Sequence, residues 1–280
     1  MKYSYLLISL LLSFNGIRAQ QQAEVEYDYK AVYRLTFQQD STDISSIAEE
    51  TVLLYLNPNQ SRYLSLGQQT KDSLFATLDR NTKSMAQFSR IRAMIPKTAF
   101  NYIIFKSTKK QQLLYAEKIV KDKFKYVENL PLQSWEIQTE TKAYLGYTVQ
   151  RATTTFAGRK YTAWFTAALP FSDGPYKFGG LPGLILEIYD AQKNYHFSLK
   201  GFEKLKEPVQ PNIRLNTYKR VTKADFLQIK EHYEQDPLDA MESAGIKLDF
   251  SNSSLSRAQA KQDLRASHQK KNNAIELLNN

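Results

Sequence analysis

Apolar and polar residues alternate along the first long segment of the chain, residues 25–37. Every odd position from Val25 to Phe37 is apolar, and every even position except Val32 is polar or charged. A period of two is typical of a β-strand with one buried face, because successive side chains of a strand point to opposite sides of the sheet. This segment is therefore predicted to be a long strand.

Other stretches rich in β-branched and aromatic residues, separated by turn signals, predict further strands. They are 51–56, 61–66, 102–106, 113–120, 124–128, 135–138, 147–156, 161–166, 184–189 and 195–202. Apolar residues at helical spacing predict helices within 72–89, 222–235 and 236–245. The predicted fold is mainly β with a small α appendix. Its sheet is expected to be antiparallel and curved, half-barrel-like or an open barrel, because the long strands have one apolar and one polar face.

Residues 169–185 contain three prolines and four glycines between two predicted strands. Glycine admits backbone angles that other residues avoid and proline fixes them, so the segment predicts a sharp reversal of the chain. Pro182 and Gly183 also occupy the two central positions that a type II turn favours. The expected structural turn residues are Gly174, Pro175, Gly180, Pro182 and Gly183.

The run Gly180–Ile185 reads Gly-Leu-Pro-Gly-Leu-Ile, and with its neighbours it resembles the signature of the GLPGLI family of exported Bacteroidetes proteins. The neighbouring motifs that fit are Phe156-Ala157-Gly158-Arg159, Ala163-Trp164-Phe165-Thr166, Asp173-Gly174-Pro175-Tyr176-Lys177-Phe178 and Asn273-Ala274-Ile275-Glu276-Leu277. This chain departs from the family pattern in lacking a Cys near Val149 and a Pro at position 274. The resemblance implies an exported envelope protein of strand-rich fold, and it brings no established activity.

The first residues have the pattern of a secretory signal peptide: Lys2, an apolar run from Tyr5 to Phe14, and a small-residue end at Ala19. The apolar run is too short to span a bilayer. We expect cleavage after about Ala19 and an exported protein, periplasmic or secreted, that does not span a membrane. The expected organisation is a signal peptide (1–19), an antiparallel β domain (20–205), a helical appendix (206–250) and a polar linker with a C-terminal tail (251–280).

Charge and composition limit which partners, metals and cofactors the chain can be expected to bind. The formal net charge is +10, which favours anionic partners, but expected export argues against nucleic acid. Lysines are dense between Lys106 and Lys125; they could form an anion-binding stripe, but the favoured interpretation is that they face water and discourage edge-to-edge pairing of strands. The chain has no cysteine, and its histidines, His196, His232 and His268, lack the spacing of metal ligands. We expect no metal and no cofactor.

The expected function is binding rather than catalysis. The curved sheet would hold an apolar or amphipathic ligand, lipid-like or peptide, or a partner protein in the envelope. Amphipathic aromatic residues beside the glycine–proline segment suit the wall or lip of a pocket. The expected ligand-binding residues are Trp164, Phe165, Tyr176, Phe178 and Leu181.

Two alternatives from other functional classes stay open. The first is an interaction module for an outer-membrane receptor or a secretion system, with the glycine–proline segment as docking surface. The second is a hydrolase that uses Asp173, Glu187 and His196. Acid–base catalysis by these three residues requires their side chains to converge in one cleft.

Overall fold

The computed structural model describes residues 25–76, 85–211, 213–250 and 255–277. The predicted signal peptide lies outside these ranges. The described residues form twelve strands: β1 (Tyr27–Gln38), β2 (Ile47–Leu56), β3 (Gln60–Ser65), β4 (Tyr102–Ser107), β5 (Gln112–Ile119), β6 (Asp122–Asn129), β7 (Glu136–Tyr144), β8 (Tyr147–Phe156), β9 (Arg159–Thr166), β10 (Leu184–Asp190), β11 (Tyr195–Val209) and β12 (Lys219–Arg220). They also form five helices: α1 (Leu66–Ala76), α2 (Met85–Met94), α3 (Lys223–Gln235), α4 (Pro237–Ser243) and α5 (Arg257–Gln269).

All twelve strands belong to one open sheet, in the order β12-β6-β5-β4-β3-β2-β1-β11-β10-β9-β8-β7. β1 lies inside the sheet between β2 and β11, so one half of the sheet consists of β2–β6 and the other of β7–β11. The named strand pairs are antiparallel except the two-residue β12, which lies parallel to β6. The prediction of a mainly β fold with an open, curved antiparallel sheet and a helical appendix is therefore confirmed.

The alternation in β1 corresponds to burial. Tyr27, Ala31, Tyr33, Leu35 and Phe37 are at most 4% exposed. The Tyr33 hydroxyl donates a hydrogen bond of 2.7 Å to the carbonyl of Ile185, on β10. A buried tyrosine needs such a partner for its hydroxyl. The bond joins β1 to β10, which lies two strands away in the sheet.

Several elements differ from their predicted bounds. The helix expected at 72–89 is replaced in the described residues by α1, which begins at Leu66, and α2. β11 continues to Val209 because Leu205 and Val209 pack against a second hydrophobic cluster, separate from the main core, that contains Leu53, Tyr55 and Leu64. The polar segment after residue 250, for which a linker or a frayed helix is predicted, contains helix α5, and no residue of α5, all of which are described, is buried.

Residues 169–183, which we call the corner, connect β9 to β10. The turn at its end is closed by a bond of 2.8 Å from the amide of Gly183 to the carbonyl of Leu181, so the prediction of a type II turn is wrong. Gly183 has φ +146°, and a Cβ atom there would lie 2.0 Å from the carbonyl oxygen of Thr166. The backbone approaches β9 too closely for any side chain, which explains the tight turn and the glycine.

The main hydrophobic core contains residues from both halves of the sheet together with Tyr176, Phe178 and Leu181 of the corner. The Tyr176 ring lies 6.4 Å from that of Tyr63 on β3, and the Phe178 ring 4.7 Å from that of Tyr161 on β9. The corner thus fills the space between the two halves. None of the described helices is long and apolar enough to cross a membrane.

Candidate functional site

The five predicted ligand-binding residues are all buried. Their exposed fractions are 6% for Trp164, 2% for Phe165, 3% for Tyr176, 0% for Phe178 and 1% for Leu181. Phe178 shows why, since its ring lies within 6.4 Å of other core rings on β8, β9 and β11. Of the five, Tyr176 is the residue that lines an open cavity. Core packing accounts for the other four, and a ligand-binding role for them stays a prediction.

Asp173 forms a buried ion pair with Lys106. The Lys106 ammonium also donates to the carbonyls of Gly174 (2.7 Å) and Phe178 (2.9 Å). Burial lowers the pKa of Lys106, and the adjacent carboxylate opposes that effect. The expectation that Lys106 faces water is therefore wrong, because this lysine is 4% exposed and fastens the corner to β4.

Glu187 and His196 meet on neighbouring strands. His196 Nε2 lies 2.9 Å from Glu187 Oε1, and Lys142 Nζ donates to Glu187 Oε2 at 2.5 Å. The hydrogen bond with His196 and the charge of Lys142 lower the pKa of Glu187 to about 2, against the effect of burial. No hydrogen bond or ion pair in the described ranges joins Asp173 to either residue. The structure thus brings together two of the three residues of the hydrolase hypothesis.

An open cleft with a volume of about 550 Å³ lies between the sheet, α3 and residues 272–277. We call these last residues the strap; they follow α5 and lie against the sheet. The floor of the cleft is aromatic, and its members are Phe37, Phe100, Tyr102, Tyr115, Tyr126, Tyr176, Tyr195 and Phe226. Charged side chains occur in the same lining, among them Glu117, Lys230, Glu234 and Glu276.

The rings of the floor form a continuous series. The ring centroids of Tyr102 and Tyr115 are 5.1 Å apart and those of Tyr115 and Tyr126 are 4.9 Å apart, with Phe226 of α3 packed on both of the latter tyrosines. Burial raises the pKa of Tyr102 and Tyr115 well above the ordinary value. These hydroxyls are therefore neutral over the physiological range and can donate hydrogen bonds.

One floor hydroxyl has a special position. The Tyr102 hydroxyl is buried and has no partner with hydrogen-bond geometry among the described residues, and the same holds for the neighbouring Tyr63 hydroxyl, which does not line the cleft. These two hydroxyls interact with each other, because the contact with Tyr102 opposes the rise that burial causes in the pKa of Tyr63. Neither hydroxyl is exposed to solvent.

A buried ammonium group lies beneath this floor. Lys177 is 1% exposed, and its Nζ contacts Glu128 and Glu276 at 2.6 Å each. The same atom lies 5.3 Å from the ring centroids of Tyr115 and Tyr126. Burial opposes ionisation of Glu276, but the charge of Lys177 and its hydrogen bond outweigh this and lower the pKa of Glu276 to about 2.

Sequence reasoning did not predict the cleft. Alternation in β4, β5 and β6 does indicate which tyrosines share the inner face, because Tyr102, Tyr115 and Tyr126 occupy alternate positions of apolar segments. The walls formed by α3 and the strap depend on long-range packing, for which the sequence carries no local signal. No group of three or more His, Asp or Glu side chains suited to a metal ion occurs within the described residues.

Residues 35–231 match the model of the family described as N-glycanase peptide, N-terminal domain, so the chain belongs to that family. One solved structure of PNGF-II superimposes with a TM-score of 0.50 at 15% identity, covering 72% of this chain and 32% of that chain. A second crystal form gives 0.48 at 16% identity, covering 74% and 32%. The likeness is one of fold, and this chain spans about a third of the length of PNGF-II. No curated protein matches the chain in sequence.

Proposed function

We propose that this chain is an exported, non-enzymatic binding protein whose cleft holds an apolar or amphipathic ligand. The observation that carries the proposal is the open cavity of about 550 Å³ with its aromatic floor. Sites for small ligands commonly have volumes of a few hundred to about a thousand Å³ and are lined by apolar side chains with a few polar groups. The cleft has a volume in this range and an aromatic floor, with charged and polar side chains in the rest of its lining, and Tyr176 is the predicted binding residue that takes part in it.

The arrangement of polar groups favours an amphipathic ligand over a purely apolar one. The apolar part of the ligand stacks on the tyrosine series of the floor. Charged side chains such as Glu117 and Lys230 lie in the same lining, where they can contact a head group near solvent. Each of these contacts is of a kind that fixes the orientation of a ligand in a pocket.

The positions of the acidic residues support binding over hydrolysis. Asp173 is occupied by Lys106, and Glu187 is held ionised by His196 and Lys142. A general acid or base works best with a pKa near the working pH, whereas the pKa of Glu187 is about 2. Hydrolysis by these residues therefore has less support than ligand binding.

An interaction module is the second candidate function. The matched family is described as an N-terminal domain, and the chain spans about a third of PNGF-II. Both findings favour a module that acts beside other domains or proteins. Under this proposal the chain supplies binding and another polypeptide supplies any chemistry. Export, periplasmic or extracellular, remains part of the proposal, as does the relation to GLPGLI proteins.

A variant that fills the cleft tests the proposal. Leu227 lines the cleft from α3, and the adjacent Gln228 is exposed and does not line it. We expect the wild type to bind a dansyl-labelled fatty acid saturably and Leu227→Trp to bind it at least about tenfold more weakly, because losing about 1.4 kcal/mol of contacts changes affinity tenfold. Gln228→Trp is the matched control. Absence of saturable binding by the wild type, or equal binding by Leu227→Trp, would refute the proposal.

A further inference from the structure

The strap is held along its whole length by side chains of the sheet and the corner. The Tyr195 hydroxyl donates to the carbonyl of Asn273 at 2.6 Å, Arg159 Nη2 to that of Ala274 at 2.7 Å, and the Tyr161 hydroxyl to that of Ile275 at 3.3 Å. Three consecutive backbone carbonyls thus each have a side-chain donor. The Asn273 amide donates to Gln39 and the Leu277 amide to Ala157, which fixes both ends.

Two strap side chains, those of Asn273 and Glu276, are bound by buried groups. Asn273 uses both halves of its amide: Oδ1 accepts from Arg159 Nη2 at 2.6 Å, and Nδ2 donates to the carbonyl of Gln38 at 2.9 Å. Glu276 accepts from the Tyr176 hydroxyl and from Lys177 at 2.6 Å each, and from Lys223 at 3.1 Å. Between them Ile275 is 9% exposed and packs into the main core. The contacts therefore select Asn, an apolar residue two positions on, and Glu after it.

The side chains that bind the strap line a groove, and two of its buried cations also have partners that do not belong to the strap. Arg159 and Lys177 are buried cations that keep partners outside the strap, Asp190 and Glu128 respectively. Their remaining hydrogen-bonding capacity, together with the Tyr161 and Tyr195 hydroxyls, is directed at the strap. Buried, charge-assisted donors arranged to meet backbone carbonyls and a carboxylate are the means by which proteins recognise extended peptides.

The element before the strap contributes little to holding it. None of the α5 residues, each of which is described, is buried, and the contacts of α5 with α3 and α4 include exposed ion pairs such as Arg257–Glu242. Exposed ion pairs stabilise a structure weakly. The strap is thus a short segment that binds through its own contacts, as a peptide ligand does.

We propose that the groove formed by Arg159, Tyr161, Tyr195, Lys177 and Lys223 is a recognition site for an extended peptide of the pattern Asn-x-apolar-Glu. The strap is its resident ligand, bound within the same chain, and an equivalent peptide from a partner can replace it. This site shares Tyr195 with the aromatic floor, and the strap that occupies it forms one wall of the cleft. The proposal rests on the contacts of the strap itself and does not depend on the cleft ligand.

A released-strap variant tests the proposal in the full chain. In Asn273→Ala/Glu276→Ala the strap loses its two specific side chains while the groove stays intact. We expect a fluorescein-labelled synthetic peptide of residues 271–277 to bind this variant saturably in an anisotropy titration. Binding to the wild type should be at least about tenfold weaker, because the tethered strap competes at an effective concentration of about millimolar. The matched control is Gln262→Ala/Gln269→Ala on exposed positions of α5, which should behave like the wild type.

Peptide variants decide whether any binding is specific. The same peptide with alanine in place of its Asn273 and Glu276 equivalents should bind the released-strap variant at least about tenfold more weakly. If the variant keeps the circular dichroism spectrum of the wild type and yet binds no peptide, or binds both peptides equally, the groove is ordinary core packing and the proposal is wrong.

A second measurement covers the case in which the released-strap variant does not fold. The chain has no cysteine, so Leu277→Cys, at a position 42% exposed, can carry a single fluorophore on an otherwise unchanged strap. Excess unlabelled 271–277 peptide should displace the labelled strap and lower its anisotropy, and the alanine-substituted peptide should not. An anisotropy that is insensitive to millimolar peptide would overturn the proposal by itself.

Discussion

The corner and the strap are both irregular segments that lie on the same sheet, but they are held in different ways. The corner is part of the backbone network: the amide of Ile185 donates to the carbonyl of Asp173, the amide of Leu184 to that of Leu169, and a buried lysine joins it to β4. The strap receives most of its bonds from side-chain groups such as the Tyr195 hydroxyl. We therefore expect the corner to open with the whole fold and the strap to open on its own, as regions of a protein differ in local stability.

The largest loss of stability is expected when the close backbone contact between Gly183 and Thr166 is disturbed. Gly183→Ala places a Cβ atom 2.0 Å from the carbonyl oxygen of Thr166, and the backbone must move for it to fit. We expect a loss of about 4 kcal/mol or more in the free energy of unfolding, the range typical of disrupted buried packing. Urea denaturation measures it. Gly201→Ala is the control, because a Cβ at Gly201 meets nothing within 4 Å, and a similar loss there would show that glycine replacement in general is harmful.

A slightly smaller loss of stability is expected when the ion pair between Lys106 and Asp173, which joins the corner to β4, is broken. Asp173→Asn leaves the Lys106 ammonium, 4% exposed, without its counter-ion. Removing one partner of a buried pair costs about 3–5 kcal/mol, because the remaining charge is left desolvated. The double variant Lys106→Met/Asp173→Asn should recover part of this loss in denaturant titrations. If the single variant is as stable as the wild type, the pair does not hold the corner.

β1, α3 and the corner show which parts of the fold could be predicted from the sequence. Local signals were sufficient for β1, whose alternation matches its burial, and for α3, where Thr222 and Asp225 form the capping box. The glycines and prolines located the corner, although Gly183 N bonds to Leu181 O in place of the predicted turn. In each case the cause of the structure lies within a few residues of its effect.

Long-range pairings were beyond sequence reasoning. Lys106 and Lys177 resemble solvated lysines in the sequence, and their burial depends on Asp173 and Glu276, which are distant along the chain. Four of the predicted binding residues, Trp164, Phe165, Tyr176 and Phe178, are aromatic side chains near the corner, and the same apolar character makes them core residues. The cleft needs α3 and the strap to close over the tyrosines, and a period of two or 3.6 does not encode which elements meet.

The contacts of Glu276 should make the stability of the strap depend on pH. The pKa of Glu276 is about 2 in the folded protein, below its ordinary value of 4.5, so the folded state favours the carboxylate. Its contribution to stability is complete above about pH 5 and is lost as the pH falls towards 2. We expect Glu276→Gln to lower the free energy of unfolding by about 2 kcal/mol at pH 7. The difference from the wild type should shrink at pH 3. A difference that is constant with pH would exclude an ionised Glu276 as the cause.

The smallest effect separates local from global opening with two matched tyrosines. The Tyr195 hydroxyl bonds to the strap at 2.6 Å, and the Tyr33 hydroxyl bonds to Ile185 beside the corner at 2.7 Å. Losing either bond should cost about 1 kcal/mol. In Tyr195→Phe we expect the Leu277 amide, which bonds to Ala157, to exchange its hydrogen about fivefold faster in native-state NMR, while the Ile185 amide follows only the change in global stability. In Tyr33→Phe we expect the Ile185 amide to exchange about fivefold faster, because global stability falls, and the Leu277 amide to keep its wild-type rate, because opening of the strap leaves the Tyr33 bond in place. Equal acceleration of the two amides in Tyr33→Phe would mean that the strap opens only with the whole fold, and would remove the physical basis for treating it as an exchangeable ligand.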